Sequence, residues 1–398
     1  MSDPQKRALI VFGAGASVEY GIPVTSEFTQ IITDKINLEP KYKEQGIADV
    51  YNYVKDTLVD FYKEEHQAHF ERIYHVLHEL YAHYHQEGAV AKFSPVMAPF
   101  LAKTRDLDKI KVLAAAKAII EIIYHEVSAA CVSNTRSLEP LKQFFDQVEE
   151  RYIPRIYTTN YDNFVGQATK GKYFTGFDRK LDDLNLFNAE SFFQQWNTPC
   201  LYHLHGSIHF GFPAPYTKAI EMGELAWFED TAEALRHAFI TASGVPKMDG
   251  TVIERTSIIT GLEKLGRLQQ NPYAFYYSEF SRDAMAADVI FVVGSGLADL
   301  HLNKWIKEVR IAKPKTPIVF VGYWADSEDD FSTPNELEIS LLHDLRIEHF
   351  ERTSDKIEWN DWTLFKKNNA AIWKKGFHAF LNQSISLSEL LDQIDGSV

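Results

Sequence analysis

The stretch "ALIVFGAGASVEYGIPVTSEF", Ala8 to Phe28, decides the fold. A short apolar run, Ala8–Phe12, reads straight into Gly13-Ala14-Gly15-Ala16-Ser17, and a second break follows at Gly21-Ile22-Pro23. Such a run, ending in glycines before helix-compatible residues, predicts a strand–turn–helix unit. Glycine there lets the backbone approach a ligand closely, and a following helix aims free N–H groups at an anion. The turn therefore predicts a pyrophosphate cradle where a strand ends. Val18 breaks the G-x-G-x-x-G spacing. G-x-G alone also fits a plain strand-to-helix turn.

Four more short runs have the same character: 155–159, 201–205, 289–294 and 317–322, with a weaker sixth at 346–350. Most are followed by a turn and a helical pattern. This predicts an α/β fold, a Rossmann-like parallel sheet with helices on both faces. Residues 36–149 contain no such strands and read as a helical insertion. The expected division is a discontinuous sheet domain over 1–35 and 150–385, the insertion over 36–149, and a tail over 386–398 carrying a short amphipathic helix. Residues 211–285 are mixed and are expected to form a lid or an oligomer contact.

The chain has 398 residues, a net charge of -14 and two cysteines, Cys131 and Cys200. The charge argues against a broad basic surface for nucleic acid. Two distant cysteines make neither a disulfide framework nor a thiolate zinc site, and a reducing cytoplasm is the expected compartment. The N-terminus lacks a signal-peptide pattern, and no apolar run reaches the ~20 residues of a membrane span. The longest candidate carries Lys117, Glu121 and Glu126 and reads as a core helix.

Four blocks occur in an order that resembles sirtuins, the NAD-consuming protein deacylases. They are Gly13-Ala14-Gly15-x-Ser17 with Gly21-Ile22-Pro23, "TTNYD" (158–162), "HLHGS" (203–207) and "VVGSGLADLHLN" (292–303). The resemblance implies NAD as substrate, bound by Gly13, Ala14, Gly15, Ser17, Pro23, Thr159, Asp162, Gly294, Ser295, Gly322 and Tyr323. It implies that Asn160 contacts the nicotinamide ribose and positions water. Asp162 would bond the carboxamide, Ser295 would lie near the adenine-side ribose, and Gly322 with Tyr323 would flank the adenine. His205, next to Gly206, would be the general base. His203, two residues earlier on the same strand face, is its competitor. Asn-Tyr-Asp also suits a turn or an N-cap, and a lone strand histidine also suits a core.

The chain departs from sirtuin deacylases in three places. Two cysteines cannot build their four-cysteine zinc ribbon. Val24-Thr25-Ser26 replaces the usual Asp-Phe-Arg, and no acyl-peptide-binding strand is evident after Gly296. A helical insertion in place of the zinc module resembles bacterial sirtuin-like NAD hydrolases of antiphage defence, as does Phe70-Glu71 in "HFERIYHVLHEL". That branch implies hydrolysis of NAD to nicotinamide and ADP-ribose, a homo-oligomer, and a separate activator such as a HerA-type ATPase. An NAD-dependent protein deacylase and a non-enzymatic module binding NAD or ADP-ribose are the rival readings.

No metal is expected. His66, His69, His75, His78, His83 and His85 invite one, but His78 and His83 are five apart and share no helix face. The aromatic run "NPYAFYYSEF" (271–280) is expected to pack in the core or between subunits.

Overall fold

The computed structural model describes residues 5–85, 107–181, 184–213, 224–242, 253–261, 270–323, 341, 345–347 and 356–394. At its centre is an eight-stranded sheet. Its strands are β1 (Arg7–Phe12), β2 (Ile153–Thr158), β3 (Cys200–His203), β4 (Val289–Val293), β5 (Ile318–Val321), β6 (Lys356–Trp359), β7 (Trp362–Phe365) and β8 (Ala370–Trp373). Their order is β6-β7-β8-β5-β4-β1-β2-β3. From β8 to β3 every neighbouring pair is parallel, and β6 and β7 extend that sheet antiparallel.

Strands in such a sheet are buried on both faces, so they read as unbroken apolar runs. β1 does so: Ala8, Leu9 and Ile10 are fully buried, and Ile10 lies opposite both Ile156 and Phe291. Alternation sorts its side chains. Ala8, Ile10 and Phe12 enter one core, while Leu9 and Val11 enter the other.

The first core is closed by α1 (Thr25–Leu38) and the helices of 36–149: α2 (Ile47–Tyr62), α3 (Phe70–His85), α4 (Lys109–Ser133) and α5 (Glu139–Glu149). α4 starts where Asp108 accepts a bond from Ile110 N at 2.8 Å, an N-cap. It buries Val112, Ala115, Ile119, Ile122 and Ile123, while Glu121 and Glu126 pair outward with Lys41 and Lys35 at 2.8 Å. Both cysteines are free and buried, and burial pushes each thiol up to about 12. The second core is closed by α6 (Tyr273–Ala286) and α7 (Leu300–Ala312).

The expectations for particular segments meet mixed outcomes. The boundary at 35/36 falls inside α1. The run at 346–350 supplies no sheet strand at 346–347, and 348–350 lie outside the described residues; the sixth parallel strand is β8. Within 211–285 the chain forms part of a second, four-stranded sheet and a hairpin, Phe239–Ala242 with Ile253–Thr256. The aromatic run places Tyr273, Tyr276 and Phe280 in the second core, with Tyr276 stacked on Tyr202 at 4.7 Å. The tail forms a helix, Leu387–Ile394, that buries Leu387, Leu390, Leu391 and Ile394. No helix of the described residues is long and apolar enough to cross a membrane.

Candidate active site

β1 sits between β2 and β4, so the chain leaves it in opposite directions along the sheet. A crevice opens at the carboxyl ends on either side of such a switch point. Here it is a cleft of about 700 Å³, within the usual range for ligand sites. Gly13, Ala14 and Gly15 follow β1; Thr159, Asn160 and Asp162 follow β2; His205 follows β3. Gly294 and Ser295 follow β4, and Gly322 and Tyr323 follow β5. All of these, with Pro23, line the cleft.

The glycine turn serves a purpose beyond the expected cradle. Gly13 N donates to Val293 O at 2.9 Å and Gly15 N to Gly294 O at 2.7 Å. A Cβ on Gly15 would stand 2.9 Å from Gly294 O, and one on Gly294 (φ +62) 2.0 Å from Ala16 N. The two turns are interlocked, and that contact demands glycine on both sides. The chain then makes two 3₁₀ turns, Ala14–Ala16 and Val18–Tyr20, before α1 begins at Thr25. The expected helix directly behind the turn is therefore displaced, because two interlocking bonds and the Gly21 reversal (φ 95) tighten this segment.

Ser17 does not line the main cleft. It lies behind it, 3% exposed, at a cavity of about 20 Å³ that Asn160, Asp162 and His203 also line. Its hydroxyl donates to Asp162 Oδ2 at 2.6 Å and accepts from Asn160 Nδ2 at 2.7 Å. Nδ2 also donates to Gly13 O at 2.9 Å. A backbone carbonyl only accepts, so this bond fixes which end of the amide is nitrogen. Oδ1 remains as the acceptor of Asn160. Asp162 is buried and also accepts from Phe164 N at 3.2 Å. Burial raises its pKa, opposed by the Ser17 hydroxyl and the backbone N–H groups.

The two histidines separate. β3 ends at His203, and the chain turns through Gly206 at φ 94. Strand alternation stops there, so the expected shared face is not formed. His203 lines the inner cavity, and burial pulls its pKa down to about 4. His205, 3% exposed, lines the cleft with Nε2 3.6 Å from Asp299 Oδ1.

Sequence reasoning did not assign several walls of this cleft. Phe70 and Glu71 of α3 and Val127 of α4 line it, so the helical segment within 36–149 forms one side, with Phe28 of α1 beside it. Phe28 and Phe70 have ring centroids 5.6 Å apart. Asp299 belongs to the quoted "VVGSGLADLHLN" block, which was a signal for it. Gly376 and Phe377 arrive from beyond β8 with no local signal.

No curated protein matches the chain. Among solved structures it is similar to one described as the structural basis of sirtuin substrate affinity, 11% identical, with TM-score 0.36, covering 85% of this chain and 93% of that one. It is also similar to Sir2Tm bound to a propionylated peptide, at 13% identity and TM-score 0.35, covering 87% and 96%. A Sir2 homolog–NAD complex is 13% identical with TM-score 0.36, covering 80% and 78%. Likenesses this distant carry no argument about residue roles. Residues 154–350 match the family model of the SIR2-like domain. That span, just under half of the chain, is similar to the SIR2-like domain and carries β2 to β5 with Asn160, Asp162, His205, Ser295 and Asp299.

Proposed function

We propose that the chain is an NAD+ glycohydrolase. It cleaves the nicotinamide–ribose bond and adds water, giving nicotinamide, ADP-ribose and a proton. The observation that carries this reading is the meeting of Asn160 and His205 in one cleft beside the interlocked glycine turns. The SIR2-like match over 154–350 supports NAD as the substrate.

Departure of nicotinamide leaves an oxocarbenium-like sugar, as in glycoside hydrolysis. Asn160 is held at Nδ2 by Gly13 O and Ser17, so its Oδ1 is pre-oriented to hold the ribose or the attacking water. His205 takes the proton from that water or from a ribose hydroxyl. Asp162 holds Ser17 in place, and a carboxylate has lone pairs enough to accept the carboxamide N–H as well. Ser295, Gly322 and Tyr323 hold the adenosine end. Two buried cysteines support a chain without the four-cysteine ribbon. NAD depletion in antiphage defence, a homo-oligomer, a cytoplasmic site of action and a separate activator such as a HerA-type ATPase belong to the same proposal, on the resemblance alone.

The test is purified protein incubated with NAD, with nicotinamide and ADP-ribose separated and quantified, with and without candidate activators. Equal nicotinamide release with and without an acyl-lysine peptide is expected. Turnover that requires the peptide would replace this reading with a deacylase. Saturable binding with NAD recovered intact under every condition would leave a binding module.

A further inference from the structure

We propose that His205, Asp299 and His301 form a binding site for a divalent transition-metal ion, of which Zn²⁺ is the best fit. Each offers one ligand atom, and the three atoms lie within 4.8 Å of one another. They come from two separate segments, the turn after β3 and the start of α7. Two imidazoles and one carboxylate are the donor set of an open zinc site, and a fourth position is left for water.

The distances suit the ion. Two ligands about 2.1 Å from a tetrahedral zinc are about 3.4 Å apart. His205 Nε2 and Asp299 Oδ1 stand 3.6 Å apart. The His205 and His301 ring centroids are 6.5 Å apart, so closure of His301 completes the set. Asp299 is the N-cap residue of α7 and His301 lies in its first turn, which presents both from one rigid element. His301 Nε2 lies 2.9 Å from the Tyr277 hydroxyl of α6, a contact that orients the ring until the ion draws it in. His205 and Asp299 both line the cleft, so the ion has an entry path. Nitrogen-rich donors select zinc, cobalt, nickel or copper over magnesium and calcium.

The consequence for turnover rests on the proposed role of His205: a metal on that imidazole occupies the nitrogen that would accept a proton. Zinc then acts as a reversible inhibitor.

The test uses chelator-stripped full-length protein without NAD. Calorimetric titration with ZnCl₂ is expected to show one ion per chain, and Co²⁺ to give the intense visible band of tetrahedral coordination. His301→Ala and Asp299→Asn should each weaken Zn²⁺ by ~100-fold or more, since losing even an outer partner of a ligand costs about 10–100-fold. Far-UV dichroism checks that both variants fold. The Co²⁺ spectrum of the unsubstituted protein decides the matter if either does not. No zinc uptake, a weak octahedral Co²⁺ spectrum, or zinc affinity unchanged in both variants and lost instead in His78→Ala would overturn the site. Normal NAD turnover without zinc uptake removes only this inference. Zinc uptake that leaves NAD turnover unchanged supports the site and removes the base role of His205.

Discussion

β2 carries two polar clusters with opposite fates. In its middle, Arg155 is fully buried and donates to Asp283 Oδ2 at 2.7 Å, Glu279 Oε1 at 2.8 Å, Gln195 O at 2.9 Å and Thr198 O at 2.7 Å. Tyr157 adds a 2.5 Å bond to the same Asp283 oxygen. Just past the strand's end, the Asn160 side chain has its amide nitrogen engaged and its Oδ1 left as an acceptor, and His205 and Asp299 face the same cleft. Neighbouring elements enclose the first cluster and bond every guanidinium nitrogen of Arg155, leaving only Asp283 Oδ1 unpartnered; the second faces open volume. The difference teaches that position along a parallel strand, more than residue type, separates a polar group that holds the fold from one left for a ligand.

The contrast is most sharply broken at Arg155. Arg155→Ala should destabilise the protein by about 3–5 kcal/mol, because Asp283 is left buried without its cation and Glu279 keeps only Arg282. Denaturant unfolding measures this. A loss under about 1 kcal/mol would mean that water reaches the cluster.

His203 sharpens the comparison from the inner side of the cleft. Its folded pKa, about 4, lies below the ordinary value of 6.5, so the unfolded chain binds the extra proton first. The stability concerned is present above pH 6.5 and is lost as pH falls toward 4, on the order of 3 kcal/mol. His203→Gln should flatten that part of a stability–pH curve. An unchanged slope would assign the acid sensitivity elsewhere.

At the cleft, His205→Ala and Asn160→Ala should each lower NAD turnover by ~10²-fold or more, the usual scale for a general base or a positioning group. Melting temperature distinguishes lost chemistry from lost fold. Normal turnover in His205→Ala would end the base assignment. The smallest effect is expected at Tyr323, 75% exposed at the cleft rim. Tyr323→Ala should raise KM several-fold with kcat and stability unchanged, since stacking on one aromatic face contributes about 1–3 kcal/mol at most.

The sheet centre was legible because buried parallel strands are apolar throughout, as β1, β4 and β5 are. The antiparallel extension was not. β6 reads Lys-Ile-Glu-Trp and is largely exposed, so its pattern resembles a loop. The second sheet uses strands as short as Phe210–Gly211, below the length at which periodicity shows. At the site, the ordered blocks placed Asn160 and His205, but local patterning misjudged two details. Alternation does not continue through the Gly206 turn, and Ser17 bonds to protein groups behind the cleft. Arg155 gave no sign of its role, since its acidic partners are more than a hundred residues away.

The insertion shares one continuous core with a face of the sheet, and Tyr124 of α4 donates to Phe210 O at 2.7 Å across the junction. It is thus not a detachable cassette. Excising it would expose much of one side of β1, leaving residues such as Phe377 to cover the rest, and heating the intact chain should show a single calorimetric transition in which cassette and host melt together.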